Sequence, residues 1–250
     1  MSALHALAIF GAGIAAGAIN AVVGSGTLVT FPVLLAFGYQ PVLANVSNTL
    51  GLVPGSAAGA VGYRRELSGQ MQRARPLIIA SAIGALIGAI LLLSLPASAF
   101  KSIVPGFIAV ALILIVAQPR LDRLISARRS RHHERAGPIA TLAILVSGVY
   151  GGYFGAAQGI LLLAILGLAL EDHLQRINAL KVVLAGVVNL VAAVLFIFVA
   201  HVAWGAALLI AAGSIVGGML GARHGRRLPP AALRVVIVAV GVAAIVRLAS

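Results

Sequence analysis

The chain has 250 residues, of which 61% are hydrophobic and only 9% are charged. A soluble domain of this size carries roughly 25% charged residues, so the composition excludes an ordinary globular protein and indicates a polytopic membrane protein. The lack of cysteine excludes disulfides and thiol chemistry. The net charge of +13 lies in short loops and at segment ends, as the positive-inside rule describes, and does not indicate a nucleic-acid partner.

Apolar runs and the breakers between them divide the chain into ten hydrophobic segments. The first five are Leu4–Val23, Leu28–Phe37, Val42–Tyr63, Ala74–Leu95 and Ser98–Gln118. The last five are Pro138–Phe154, Ile160–Leu170, Asn178–Ala200, Ala203–Ala222 and Ala231–Leu248. Most approach the ~20 residues that a helix needs to cross the hydrocarbon core, whereas the second segment of each set is too short. We therefore predict an all-α integral membrane protein, multi-pass in the cell inner membrane.

An arginine-rich stretch separates the two sets of segments. It contains Arg120, Arg123, Arg128, Arg129, Arg131 and Arg135. We predict a first membrane repeat at residues 1–118, an Arg-rich cytoplasmic linker at 119–137 and a second membrane repeat at 138–250.

Residues of the two halves match at one offset of 133 positions (214 − 81). The matched residues are Ser81, Gly84, Gly88 and Pro96 with Ser214, Gly217, Gly221 and Pro229, then Asn45 with Asn178 and Gly26 with Gly159. The glycines at 84, 88, 217 and 221 are typical of close helix packing. This pattern predicts two repeats that arose by duplication.

Loop charge predicts that the two repeats have opposite orientations. The loop from Arg64 to Arg75 is basic and should be cytoplasmic, whereas the matching loop at His201 has no Lys or Arg and should be external. Five segments per repeat, an odd number, produce this inversion and place both termini outside. Inverted repeats are common in secondary transporters, whose sites lie near the membrane midplane.

Each repeat begins with a glycine-rich break between a long segment and a short one. The first break reads Gly24-Ser25-Gly26-Thr27, and the second reads Gly155-Ala-Ala-Gln158-Gly159. Each pair of segments predicts a helical hairpin, and the break frees backbone N–H groups at the start of the short helix. Helix N-termini carry a partial positive charge and bind anions, so two inverted tips could face one shared polar cavity.

Lys181 is the only charged residue clearly within a span, and such a residue is by default a hypothesis for function. The alternative is that its side chain reaches the membrane surface from the start of its helix. At the repeat offset its partner is Asn48, which is also polar. The predicted substrate-binding residues are Asn20, Gly24, Ser25, Gly26, Thr27, Asn45, Asn48, Gln158, Gly159, Asn178 and Lys181.

The five acidic residues lie in loops or at span ends: Glu66, Asp122, Glu134, Glu171 and Asp172. A cation pathway is therefore disfavoured, and one buried cation among many donors suits an anion. The sequence shows no catalytic constellation, no metal-ligand spacing and no P-loop. We therefore predict no enzymatic activity, no metal and no cofactor, and transport that ATP does not drive.

Several motifs resemble the TauE/SafE family of anion permeases, often called sulfite exporters. They are the paired glycine-rich breaks, the stretch Gly38-Tyr-Gln-Pro41-x-x-Ala44-Asn45 and the stretch from His201-Val-Ala-Trp204 to Arg226-Arg-Leu-Pro229. The resemblance spans nearly the whole chain. It implies export of small sulfur-containing anions such as sulfite or organosulfonates. The first break has Gly-Ser-Gly-Thr where the family commonly has another glycine, and no proline follows Gly159.

The predicted function is a secondary transporter, in the export direction, of small anions by alternating access. One alternative is a passive anion channel of the same fold. Another is a non-transporting membrane subunit that docks a partner through the Arg-rich linker. The predicted partners are a small anionic substrate and the lipid bilayer, without nucleic acid, and a homodimer is an open alternative to a monomer.

Overall fold

The structure is a computed structural model that describes residues 2–127, 137–224, 237–239 and 242. The helices of the first half are α1 (Ala3–Val22), α2 (Thr27–Ala36), α3 (Pro41–Gly62), α4 (Arg64–Leu67), α5 (Met71–Ser94) and α6 (Ala97–Ala127). Those of the second half are α7 (Pro138–Tyr153), α8 (Gln158–Ala169), α9 (Leu174–Val199) and α10 (Trp204–His224). No strand occurs among these residues, which confirms the prediction of an all-α protein.

Nine of the ten predicted segments correspond to helices of the structure. The tenth, Ala231–Leu248, and the central part of the predicted linker lie largely outside the described residues. The sequence did not predict the single turn α4, and α6 runs past Pro119 to Ala127, so the first part of the predicted linker is helical.

Within the described ranges, five helices are long and apolar enough to cross a membrane: α1, α5, the part of α6 up to Arg120, α9 and α10. Large apolar side chains cover their outer faces, including Ile113 and Phe198, as lipid contact requires. α3 is also 22 residues long but more polar, because it carries buried side chains such as Asn45 and Asn48 at the centre of the bundle. These features confirm a multi-pass membrane protein.

Two pairs of packed helices join one half of the chain to the other. α1 packs along α10 and α7 packs along α5. A Cβ on Gly217 would lie on backbone atoms of Ile14 and Ala18, and a Cβ on Gly88 would lie on those of Val149 and Tyr153. The glycines therefore set close backbone contact between helices, as their spacing predicts.

The central helices α3 and α9 are in contact and belong to different halves. Arg73, in the first turn of α5, forms an ion pair with Asp172, just before α9. Since α3 ends near the start of α5, this ion pair places the end of α3 beside the start of α9. The two helices thus run in opposite directions, as inverted repeats require, while the duplication itself stays a prediction.

Glycine turns form the two predicted hairpins. Gly24 has a φ of 86° and Gly155 a φ of 75°, a left-handed conformation that glycine adopts without steric cost. In the first hairpin the rings of His5 and Phe37 are 4.3 Å apart, so α2 returns to the end where α1 begins. The hairpins therefore enter the bundle and turn back inside it.

Candidate functional site

The tips of the two hairpins contact each other inside the bundle. The N–H of Gly159 donates to the carbonyl oxygen of Gly24 at 3.0 Å. A Cβ on either residue would lie on backbone atoms of the other, so only glycine fits at this crossing. The two tips are in direct contact here, which differs from the predicted cavity between them.

The turn geometry changes the predicted match between the tips. The residues with the same left-handed turn are Gly24 and Gly155, a separation of 131 positions (155 − 24). The sequence offset of 133 pairs Gly26 with Gly159 and Gly24 with Ala157, which is also left-handed with a φ of 59°. The glycine turns and the sequence offset therefore give alignments of the tips that differ by two residues. The offset still holds at the starts of α3 and α9, Pro41 and Leu174, so the stretch from the glycine turn to the crossing helix is two residues longer in the second half.

The backbone donors of two predicted site residues already have partners within the chain. The N–H of Gly26 donates to the side-chain oxygen of Asn20 at 2.9 Å. That of Gly159 donates to Gly24, as described above. These two groups are therefore not free for a ligand in this conformation, contrary to the prediction that the tips expose them.

Lys181 is completely buried in α9, with 0% of its surface exposed. Its ammonium donates to the carbonyl oxygens of Asn20 at 3.1 Å and of Ala21 and Val22 at 3.5 Å. These carbonyls end α1, where a helix carries a partial negative charge. The side chain points into the bundle and not to the membrane surface. We see no acidic residue in the sequences of α1, α3 and α9.

Two asparagines hold the ends of the broken helices, each from the opposite half of the chain. The amide nitrogen of Asn45 in α3 donates to the carbonyl oxygen of Tyr153, the last residue of α7, at 3.0 Å. That of Asn178 in α9 donates to Ala21 in the last turn of α1 at 3.1 Å. Helix ends leave such carbonyls without intrahelical partners, so these bonds satisfy groups that the breaks expose.

The side chain of Asn48 forms its hydrogen bonds within its own half of the chain. Its amide nitrogen donates to Thr27 Oγ1 at 3.2 Å, and its oxygen accepts a bond from the hydroxyl of Thr30. Asn48 thereby joins α3 to the first turn of α2. Sequence reasoning missed Thr30, although it lies one turn after Thr27 on the same helix, a spacing that could have indicated it.

Gln158 does not direct its side chain to the crossing. Its amide nitrogen donates to the carbonyl oxygen of Ser147 at 3.0 Å, and the side chain packs on Gly151. It therefore joins α8 to α7. Like Asn20, whose side-chain oxygen accepts from Gly26, Gln158 therefore directs its side chain to its own hairpin.

Several buried polar atoms around the tips have no hydrogen-bond partner in the described part of the chain. They are Ser25 Oγ, Asn45 Oδ1, Asn178 Oδ1, Ser147 Oγ and the hydroxyl of Tyr153. Sequence reasoning missed Ser147 and Tyr153, which lie on α7. An unpaired buried polar group costs about 1–3 kcal/mol, so such atoms are candidates for contact with a ligand.

The electrostatics of the crossing combine helix ends with one lysine. The ends of α1 and α7 contribute partial negative charges, and the starts of α2 and α8 contribute partial positive charges of similar size. These contributions offset each other in pairs. When it is protonated, Lys181 adds a positive charge that these paired contributions do not cancel. Among the described residues, no group of three or more His, Asp or Glu could hold a metal ion.

A second polar cluster lies at the start of α9. Arg73 and Arg176 both donate to Asp172 Oδ2, and Arg73 also donates to Gln70. Burial raises the pKa of the Asp172 carboxyl, but hydrogen bonds from Arg176 and Arg73 outweigh it, so this pKa lies below its ordinary value of 3.8. The cluster holds the loop between α8 and α9 against α5.

Comparisons with known proteins agree with this architecture. The family described as "Sulfite exporter TauE/SafE" matches residues 9–248. A probable membrane transporter protein, ORF9, of Sinorhizobium sp is 29% identical over 250 residues, covering 98% of this chain and 93% of that protein. A probable membrane transporter protein of Haemophilus influenzae is 26% identical, covering 86% of this chain and 83% of its own length.

The probable membrane transporter protein YfcA of Escherichia coli K12 is 27% identical, covering 85% of this chain and 76% of its own length. No solved structure matches the chain. The family match covers nearly all of the helices described above, including both hairpins. The chain therefore belongs to the TauE/SafE sulfite exporter family, a family of membrane transporters.

Proposed function

We propose that the chain is a secondary transporter of small anions, of the sulfite and organosulfonate class, that exports them by alternating access. The observation that carries the proposal is Lys181. Its ammonium is fully buried at the crossing of two broken hairpins, and its hydrogen bonds go to backbone carbonyls. A charge buried in this way is costly unless it is compensated, and an anion at the crossing supplies the compensation.

The contact between the hairpin tips closes the space between them. Gly24 and Gly159 are in contact, so in this conformation an anion cannot pass between them. Alternating access requires the hairpins to move relative to each other while the anion stays near Lys181. The bonds of Asn45 and Asn178 tie each hairpin to the crossing helix of the other half, and these ties couple the two movements.

The proposal is tested with purified protein in liposomes. Vesicles are loaded with unlabelled sulfite or a short sulfonate, and uptake of the labelled anion from outside is measured. With the membrane potential clamped at zero, a carrier accumulates the label while the internal anion exchanges for it, whereas a passive channel lets both equilibrate without such accumulation. Failure of sulfite, thiosulfate, sulfoacetate, taurine and simple carboxylates alike to exchange would overturn the proposal.

A vesicle assay also separates transport from a docking role. Residues 128–136 are replaced by a neutral linker of equal length. A transporter keeps its exchange rate after this change, because the proposed site lies at the hairpin crossing. A docking subunit shows no exchange in either form. The direction of net flux follows from comparing vesicles whose anion gradient points outward with those whose gradient points inward.

A further inference from the structure

The end of α1 carries three groups that differ in what they offer a ligand. Lys181 supplies a positive charge. Ser25, in the turn directly after α1, is 1% exposed and has a hydroxyl without a partner in the described structure. Asn178, 7% exposed, has a side-chain oxygen without a partner there. An anion uses the first two groups, but a fully deprotonated anion cannot satisfy the third, which only accepts.

The orientation of the Asn178 amide follows from its contact. Its other end lies 3.1 Å from the carbonyl oxygen of Ala21. Because a carbonyl oxygen only accepts, the nitrogen must face Ala21, and the oxygen must face away from it. The unpaired atom is thus an acceptor and not a misassigned donor.

Asn178 and Lys181 act at the same place. They lie one turn apart on α9, and both donate to the carbonyl oxygen of Ala21, at 3.1 and 3.5 Å. The ammonium and the Asn178 amide thus share one carbonyl oxygen, and a ligand that reaches both needs a short chain between its anionic group and its donor. The nearby positive charge disfavours a second cation, so the matching donor on the ligand is a neutral one.

We propose that the substrate is a short sulfur oxyanion that carries its own hydroxyl donor, such as a hydroxyalkanesulfonate, and that Asn178 selects it by accepting from that hydroxyl. This inference rests on the proposed function and narrows its substrate class. The anionic group lies by Lys181 and Ser25. The matching position in α3 lacks this selectivity, because Asn45 is accompanied by the neutral Asn48 in place of a lysine.

The test compares two anions of nearly equal shape, 2-hydroxyethanesulfonate and 1-propanesulfonate, in which a methyl group replaces the hydroxyl. Both are measured for binding to the same purified protein and for exchange in vesicles. We expect the hydroxylated anion to bind roughly ten- to a hundredfold more tightly, since an unpaired buried acceptor remains with the alkyl analogue. Taurine, whose donor is an ammonium, should bind more weakly than 2-hydroxyethanesulfonate.

Asn178→Ala should reduce the ratio of the two affinities to near one. Asn45→Ala is the matched control, because it removes the same kind of helix-end bond and should keep the ratio. Ser25→Ala should weaken both anions alike. Since each ratio comes from one preparation, partial unfolding of a variant does not change it.

The outcomes separate this inference from the proposed function. Exchange of both anions with equal affinities in the wild-type protein would overturn the inference and leave the function standing. If neither of these two anions exchanges, and no other tested anion does, the proposed function is overturned. A ratio that changes equally in Asn178→Ala and Asn45→Ala would also overturn the selection by Asn178. The wild-type ratio needs no variant to fold, so the preference for a hydroxylated anion is decided even if Asn178→Ala does not fold.

Discussion

The two hairpins have the same shape but different charge. Each turns at a glycine in the left-handed conformation, and an asparagine from the opposite half holds the end of each long helix. In the second hairpin the neutral Asn45 holds the end of α7. In the first, Lys181 joins Asn178 at the end of α1. A neutral side chain is thus enough to build a crossing of this kind, and the lysine adds a charge that the architecture does not require.

The strongest test of the comparison is whether the two halves face opposite sides of the membrane. A single cysteine at Ser68, after α4, and one at His201, before α10, should be labelled from opposite sides, because loop charge predicts a cytoplasmic and an external position. The native chain has no cysteine, so the labelling has no background. An impermeant reagent on intact cells should label His201→Cys and not Ser68→Cys.

Labelling of both cysteines, or of Ser68→Cys alone, would contradict the predicted orientation. Both residues are exposed in the structure, so protection from the reagent reports the side of the membrane and not burial.

Replacing a glycine at the contact between the hairpins should abolish folding or transport. In Gly159→Ala the new Cβ would lie on the backbone of Gly24, and neither tip can move without breaking helix-end bonds. We expect a destabilisation of several kcal/mol, as for severe overpacking. Thermal unfolding in detergent measures it. Gly11→Ala is the control, since no atom lies within 4 Å of its Cβ position; equal stability of the two variants would contradict the contact.

Lys181→Asn makes the two halves alike at this position. The variant removes the charge and keeps a polar side chain that is tolerated at Asn48. A hydrogen bond to a charged group contributes about 1.5–3 kcal/mol, so anion affinity should fall roughly ten- to a hundredfold. The anion affinity of Lys181→Arg should fall less. Anion affinity is measured on purified protein, and Asn48→Ser serves as the neutral control.

Wild-type affinity in Lys181→Asn would mean that the lysine serves only to hold the end of α1. A lower unfolding temperature with unchanged anion affinity in the folded fraction would indicate the same structural role. Removing a buried charge can also stabilise a protein, so stability and affinity need not change together.

The smallest expected effect concerns the ion pairs of Asp172. At the repeat offset of 133 positions, the first half has Tyr39 in its place. The pKa of Asp172 is lowered in the folded protein, so its ionised form is favoured there. Its stabilisation is therefore present above the unfolded pKa of ~3.9 and lost as pH falls through the folded pKa. Asp172→Asn should cost about 1 kcal/mol near pH 7.

The cost is read from unfolding temperatures of the wild type and Asp172→Asn at several pH values. The difference between them should close below about pH 4. Arg176→Gln should show the same closing, because it removes a partner of the same carboxylate. A difference that persists at low pH would indicate that shape and not charge holds the loop.

Much of the fold could be predicted from the sequence, because apolar runs and glycine breaks act locally. The bounds of α1, α2 and α7 differ from the predicted segments by one residue. The match between the tips could not be predicted, since it depends on turn conformations at Gly24 and Gly155 that composition does not reveal.

The site could be predicted only in part. The sequence indicated Asn45, Asn178 and Lys181 because polar residues are rare within spans. It could not indicate their partners, because these are backbone carbonyls of the opposite half. The direction of Gln158 toward α7 likewise depends on Gly151 offering space for its side chain.

The packing of α1 along α10 has a consequence for biogenesis. α1 is synthesised first and α10 near the end, and a ribosome adds roughly 5–20 residues per second. For roughly 10–40 s after α1 leaves the ribosome, its glycine face and the carbonyls at its end therefore lack their native partners. The nascent first hairpin must wait in the insertion machinery or at the membrane surface, and only the arrival of α9 and α10 completes it. Truncated chains that stop before α9 should consequently be degraded as incomplete membrane proteins and not accumulate as stable half-bundles.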